Sequence, residues 1–485
     1  MSQRGCVSEC KKLWSSVTPH AALLGALLAA LSSVGITAAP AQDAPEPATS
    51  ATSAPASGTA DAQDATNASS EVPIPSSTEQ GSTTIDQSFE PMTRAEWLAE
   101  TRRQALRDTT FYGQLRSFYL DWHRLNGTES EAWALGGSAG FKTGYFRKLF
   151  AIGATGYTSQ RLYGPEDKDG TRLLAPGQRG YTVLGELYGE FLLTEGVQAI
   201  VGLKGYDTPY LSRFDTRMAP NTFEGASVLG SFGGTDGAPR WRFGAGYVDK
   251  IKERDSTDFV SMAAAAGARP GVSRGVSVVG GDYSLGDFSV GAIDYYSSDI
   301  INIAYVEVKD AFALSERLRL QLAAQYTSQQ SAGDDLLMGH PFSADQFGFK
   351  AELAFAGTLL TAGYTRNGNG ANIQSPWSRS PGYSAVQINW FDRSGETAWM
   401  LRSAYNFRSI KNLSAYVLYV RGSQPNEPNQ YARDESDLNL QWKATSGWLR
   451  GLSVRARYGH LSQAGPVAAH ADQLRLILYY DPPRL

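Results

Sequence analysis

The stretch Arg450-Gly451-Leu452-Ser453-Val454-Arg455-Ala456-Arg457-Tyr458-Gly459-His460 decides the fold. Side chains alternate with a period of two along an extended chain, so Leu452, Val454, Ala456 and Tyr458 share one face while Ser453, Arg455, Arg457 and Gly459 share the other. Arginines that alternate with aliphatic residues are poor material for a dry core. They suit a membrane barrel, in which each strand shows one side chain to lipid and the next to a wet lumen.

The neighbouring segments repeat the pattern. In 437–444, Leu438, Leu440 and Trp442 oppose Asn439, Gln441 and Lys443; in 398–407, Trp399, Leu401 and Tyr405 oppose Arg402 and Asn406. In 473–480, Leu474, Leu476, Leu478 and Tyr480 oppose Arg475. A charge on the lipid side near midplane costs roughly 2 to 4 kcal/mol, so Arg402, Arg455, Arg457 and Arg475 are expected to face the lumen. The strand from Leu413 to Gly422 is apolar on both phases, so alternation gives Arg421 no face.

From Phe111 onward no apolar run is long enough to cross a bilayer as a helix, and nineteen segments of about ten residues alternate in this way. Bacterial single-chain barrels have an even number of strands, short periplasmic turns and long outer loops. Reading back from a last strand that ends in the periplasm, the turns near Ser446–Leu449 and Ser409–Asn412 are short, and 423–435 and 461–471 are long. The phase holds further back only if Gly368–Gly395 is one outer loop with the run 384–391 folded inside it. The expected fold is therefore all-β, a transmembrane antiparallel β-barrel of 18 strands over residues 111–485, wide enough for an aqueous channel.

What precedes the barrel reads differently. In residues 1–41, Arg4, Lys11 and Lys12 precede an apolar run from Ala21 to Ala39 and a small-x-small cleavage site at Ala39-Pro40-Ala41, the pattern of a secretory signal peptide. Ser32, Ser33, Gly35 and Thr37 interrupt the run before it reaches the roughly 20 apolar residues of a membrane anchor. Residues 42–90 are Ala, Ser, Thr, Pro, Asp, Glu and Gln with almost no large apolar group, an expected disordered periplasmic leader. In the short segment 91–110, Thr93 and Glu96 have capping-box spacing ahead of Trp97 and Leu98, which predicts a helix over 93–107.

Composition narrows the function. Cys6 and Cys10 both lie in the signal segment, so the mature chain has no thiol chemistry. Residues 1–41 hold three of the 44 basic and one of the 48 acidic groups, which leaves a net charge of −6, unsuited to nucleic acid. Beyond that segment the histidines are His123, His340, His460 and His470, each near an expected loop or rim, and no Ser or Asp stands at a spacing that demands a nucleophile. A barrel hydrolase is thus disfavoured, and no cofactor or metal-binding motif is present. Nor can the polar leader build the plug of an energy-coupled receptor.

Several stretches resemble the OprD family of substrate-specific outer-membrane porins. They are Asp207-Thr208-Pro209, Asp215-Thr216-Arg217-Met218-Ala219-Pro220-Asn221-Thr222-Phe223-Glu224-Gly225, Ser380-Pro381-Gly382-Tyr383, and Gly395-Glu396-Thr397-Ala398-Trp399 leading into Tyr405-Asn406-Phe407. The likeness continues through Glu435-Ser436-Asp437, Leu449-Arg450-Gly451-Leu452 and Asp472-Gln473-Leu474-Arg475-Leu476. The long leader and the ending Tyr480-Asp481-Pro482-Pro483-Arg484-Leu485 depart from the family pattern.

The resemblance implies an eighteen-stranded barrel, monomeric or loosely trimeric, in the outer membrane of a Gram-negative bacterium. It also implies a third outer loop that folds inward to constrict the pore, and a ladder of basic side chains that guides carboxylates. By position, the loop is 206–222, with Tyr206, Asp207, Tyr210, Arg213, Asp215 and Arg217 as candidate filters or pegs and Gly202, Gly205 and Gly225 at its hinges. The ladder is Arg402, Arg421, Arg455, Arg457 and Arg475. Guanidinium forks bind carboxylates bidentately, and several weak sites in series let an anion enter and leave. The expected partners are small solutes, outer-membrane lipid and lipopolysaccharide, and the barrel assembly machinery. A general diffusion porin is the alternative.

Overall fold

The computed structural model describes residues 92–482 except 104, 235 and 236; the signal peptide and leader expected over 1–90 lie outside the described residues. In chain order the strands begin with β1 (Thr110–His123), β2 (Glu129–Lys142), β3 (Phe150–Tyr163), β4 (Tyr181–Thr194), β5 (Val197–Lys204) and β6 (Thr222–Gly233). They continue with β7 (Arg240–Lys252), β8 (Phe259–Ser261), β9 (Val276–Leu285), β10 (Phe288–Ser297), β11 (Ile301–Ser315), β12 (Leu318–Ser331) and β13 (Ser343–Phe355). The last are β14 (Thr358–Asn367), β15 (Thr397–Asn406), β16 (Leu413–Gly422), β17 (Arg433–Lys443), β18 (Leu452–Gln463) and β19 (Ala469–Tyr480).

Each strand pairs antiparallel with its sequence neighbour, and the sheet closes where β1 pairs with β19, from Leu115 opposite Tyr480 to His123 opposite Asp472. The three-residue β8 pairs with the end of β7 but adds nothing to the wall, because β7 goes on to pair with β9. Eighteen strands therefore make the barrel, as the sequence pattern requires. No helix among the described residues is long and apolar enough to cross a membrane. The barrel thereby satisfies the wall's backbone hydrogen bonds internally, which is what a lipid environment demands.

The two faces invert the rule for soluble proteins. Leu401, Val417, Leu438, Leu440 and Leu476 are exposed, whereas Arg402, Arg455, Arg457, Arg475 and Gln473 on the other phase are buried. Large apolar side chains on the outside and guanidinium groups on the inside are the energetic signature of a lipid-facing wall around a polar lumen. Phase thus places the ladder residues before any loop is considered.

Ahead of the barrel, helix α1 (Arg94–Glu100) has the expected capping box, with Thr93 and Glu96 each bonding the other's backbone N–H. It ends at Glu100, short of the expected residue 107, with Thr101 as its C-cap. Met92 and Trp97 pack against Tyr145, Ala151 and Leu192 at the short-turn end of the barrel.

Candidate functional site

The arginine-bearing side of the lumen wall is formed by β15, β18, β19 and β1. Pairing sets Arg457 directly across from Arg475, while Arg455 lies opposite Ile477. Neighbouring side chains hold the guanidinium groups in place. Arg455 Nε donates to Asn439 Oδ1 at 2.6 Å, Arg457 Nη2 to the Tyr416 hydroxyl at 3.1 Å, and Arg475 Nε to Gln473 Oε1 at 2.7 Å. The Arg402 guanidinium lies over the Tyr416 ring, 4.7 Å from its centroid. Four of the five expected ladder residues therefore line one wall.

Arg421 is the exception and a correction. On β16 the inward phase is Tyr416, Leu418 and Val420; Arg421 points outward, half-exposed, 3.7 Å from Asp434. Both phases of that strand are apolar because its inner face is covered by Val386 and Phe391 from a loop inside the barrel.

The third outer loop, 205–221, does lie inside the barrel. Gly202, at φ +122°, and Gly205 open it; a Cβ on Gly202 would meet the Leu187 carbonyl oxygen at 2.4 Å, and one on Gly205 would strike the Arg213 side chain. Tyr210 is fully buried, donates from its hydroxyl to Thr327 at 3.0 Å, and stacks edge-on against Tyr295 and Tyr305. Tyr206 meets Ser227 at 3.2 Å. Asp215 takes a bidentate fork from Arg116 at 2.6 and 2.9 Å, and Arg217 donates to the Thr171 carbonyl oxygen at 2.8 Å. These four are pegs that fix the loop to the wall. Asp207 and Arg213, 3.7 Å apart and each more than a third exposed, are the pair turned toward lumen water. Partial burial raises the Asp207 carboxyl above its usual range, and Arg213 opposes that shift. Burial alone would lower Arg213, but the surrounding acids Asp207 and Glu186 outweigh it and keep the guanidinium charged.

Sequence reasoning placed 384–391 in a loop but missed what that loop does. Residues 368–396 cross the lumen and bind both sides of it. At one end Ser378 meets Ser212 at 2.7 Å and Trp377 Nε1 donates to the Met262 carbonyl oxygen at 2.8 Å, locking this loop to the third and fourth. At the other, the backbone N–H groups of Ile388 and Asn389 donate to Glu435 at 2.6 and 2.7 Å, and that of Gln387 to Asp437 at 3.2 Å. The constriction is thus framed by two loops and the arginine wall. Its further basic groups are Arg116 on the inward phase of β1 and Arg379, whose Nη2 donates to the Ala385 and Val386 carbonyl oxygens. Burial, then the nearby Arg457, lowers Arg379 to about 10, which leaves it charged at neutral pH. Arg116 shares its phase with Phe118, Leu120 and Trp122, so alternation on β1 carries no sign of a wet face there.

A closed barrel with lipid-facing leucines, a polar lumen and inward-folded loops defines a porin. Residues 105–483 match the outer membrane porin OprD family, and the chain belongs to it. Similar solved structures include Pseudomonas aeruginosa OccK9 (OpdG), at 23% identity and a TM-score of 0.70 over 78% of this chain and 99% of that one. A BenF-like porin from Pseudomonas fluorescens Pf-5 has 17% identity and a TM-score of 0.68 over 78% of this chain and 100% of its own. Pseudomonas aeruginosa OpdK, solved with vanillate, has 19% identity and a TM-score of 0.68 over 79% and 100%. No curated protein sequence matches the chain. The chain is thus an outer-membrane channel through which small solutes diffuse.

Proposed function

We propose that the solutes this channel favours carry a carboxylate, and that Arg402, Arg455, Arg457 and Arg475 guide it along one wall. The observation that carries the reading is the pairing of Arg457 with Arg475 across adjacent strands, with Arg455 two residues further along the same face. Three fixed positive charges at that spacing, with Asn439, Tyr416 and Gln473 among their hydrogen-bond partners and the buried Asp437 carboxyl near Arg457 and Arg475, give an anion successive resting points with no deep trap. Asp207 and Arg213 are the filter at the constriction, and Tyr206, Tyr210, Asp215 and Arg217 hold the loop that presents them. OpdK, a barrel of the same fold, was solved with vanillate, itself a carboxylate, which supports this class of solute.

The test is current blockade in a planar bilayer with small carboxylates and amines of matched size. Carboxylates should interrupt the current at concentrations where the amines do not. Equal response to both would make the pore a general one.

A further inference from the structure

The periplasmic end of the wall carries a feature that the channel does not use. Outward-facing rings cluster there: Phe111 lies 6.3 Å from Phe141, Phe146 is stacked on Phe150 at 5.1 Å, and Phe150 lies 6.1 Å from Phe191. Such rings mark the level at which the apolar band of a barrel meets lipid headgroups. The turn from β2 to β3 projects at that level.

Its geometry is unusual for its residues. Phe146 N donates to the Phe150 carbonyl oxygen at 2.7 Å and Leu149 N to that of Phe146 at 3.0 Å, and the two corners, Arg147 and Lys148, sit at φ 51° and 59°. Two successive left-handed residues are what Asn-Gly supplies with least strain. The turn from β13 to β14 takes the same pair of conformations at Ala356 and Gly357, with glycine at its second corner. Here both corners are cations. A strained conformation kept for two charged residues points to a use for the charges.

Among the described residues the side chains of Arg147, Lys148 and Arg102 make no ion pair or hydrogen bond, and all three are exposed. Within this segment Arg103 is engaged, with Glu100 at 2.7 Å, and across the barrel end Arg319 is engaged with Asp287 at 2.5 Å. The segment after α1 is tied to the turn by Gly144 N donating to the Ala105 carbonyl oxygen at 2.8 Å. Between them lies a groove of 720 Å³ with Phe146 and Phe150 along its side and Arg102, Arg147 and Lys148 at its edge. Leu149 and Phe150 continue it onto the lipid face.

We propose that this groove binds an anionic phospholipid of the inner leaflet, its phosphate held by Arg102, Arg147 and Lys148 and its acyl chains laid along Leu149, Phe150 and Phe191. Charge complementarity and continuity with the aromatic girdle favour a lipid over a soluble anion, which would gain nothing from the apolar half. Each basic group near such a surface contributes roughly fivefold in binding.

The test uses the full-length protein, delipidated in detergent and titrated with phosphatidylglycerol or phosphatidylcholine of identical acyl chains, with bound lipid counted by native mass spectrometry. Wild type should prefer phosphatidylglycerol. The double variant Arg147→Asn/Lys148→Gly removes both charges while giving the turn the residues its backbone favours, so the barrel should fold and the preference should drop about tenfold or more. Arg102→Gln/Arg147→Gln leaves Lys148 in the turn and should lower the preference similarly. Equal retention of the two lipids by wild type, or an undiminished preference in both variants, overturns the proposal. So does binding of inorganic phosphate without any preference for the anionic lipid.

Discussion

Replacing Arg455 and Arg457 together by glutamine removes two lumen charges while keeping polar side chains. A carboxylate about 4 Å from one guanidinium gains about 1 kcal/mol in a water-like lumen and about 4 kcal/mol at an effective dielectric near 20. Arg455 and Arg457 are 7% and 6% exposed, so the lower figure is a floor; the second guanidinium, about 7 Å further along the strand, adds about half as much. The sum, about 1.5 kcal/mol, corresponds to roughly a tenfold change in local anion occupancy. Arg402, Arg475 and Arg116 remain, so the anion-to-cation permeability ratio should fall about three- to tenfold. Reversal potentials across a salt gradient measure this. The effect should be large near 0.1 M salt, where the Debye length is about 10 Å, and should nearly vanish at 1 M, where it is about 3 Å. The hydrogen bonds lost to Asn439 and Tyr416 are worth about 1 kcal/mol each, too little to stop a closed barrel of this size from assembling. Unchanged selectivity at low salt refutes the guiding role, and failure to assemble would make these arginines structural.

Three further outcomes follow. Deleting residues 208–221 should raise single-channel conductance, since the loop occupies the lumen; an unchanged value in an assembled barrel would place it elsewhere. Arg421→Gln, on the outward phase, should leave ion selectivity within error of wild type at any salt. Asp392, inside the seventh outer loop, is pushed up to about 7 by burial and by Glu396. A raised carboxyl pKa means that the folded state holds a proton the unfolded chain releases, so its stabilising share is present below about pH 4 and lost as pH rises toward 7. Asp392→Asn should therefore raise the thermal midpoint at pH 8 relative to wild type and change it little at pH 4; a shift that is the same at both would contradict this.

The barrel was legible because lipid enforces a rule on every second residue. Each of the eighteen strand positions inferred from alternation is a strand, and the run 384–391, assigned to a loop on phase alone, is a loop. Where a second layer of protein replaces lumen water, the rule fails. The inner face of β16 packs against Val386 and Phe391, so its phase could not be read and Arg421 was misassigned. The inner face of β1 is covered by Leu173, Leu174 and Met218 from the second and third loops, which hid Arg116 among Phe118, Leu120 and Trp122. Loops have no period, so the reach of 368–396 from Ser212 to Glu435 is a tertiary fact that alternation does not encode. The third loop was placed by family resemblance, and its division into pegs and an exposed Asp207–Arg213 pair emerged only from the contacts.

This barrel passes small solutes, and we propose that it favours those with a carboxylate. Proteoliposomes made with the purified protein test it most directly, by the swelling rate in isosmotic solutions of a small carboxylate and of its size-matched neutral amide. Swelling should occur in both, several times faster with the carboxylate, and that difference should be lost in the Arg455→Gln/Arg457→Gln variant. Liposomes that stay sealed, or that swell equally fast in the two solutions, would contradict it.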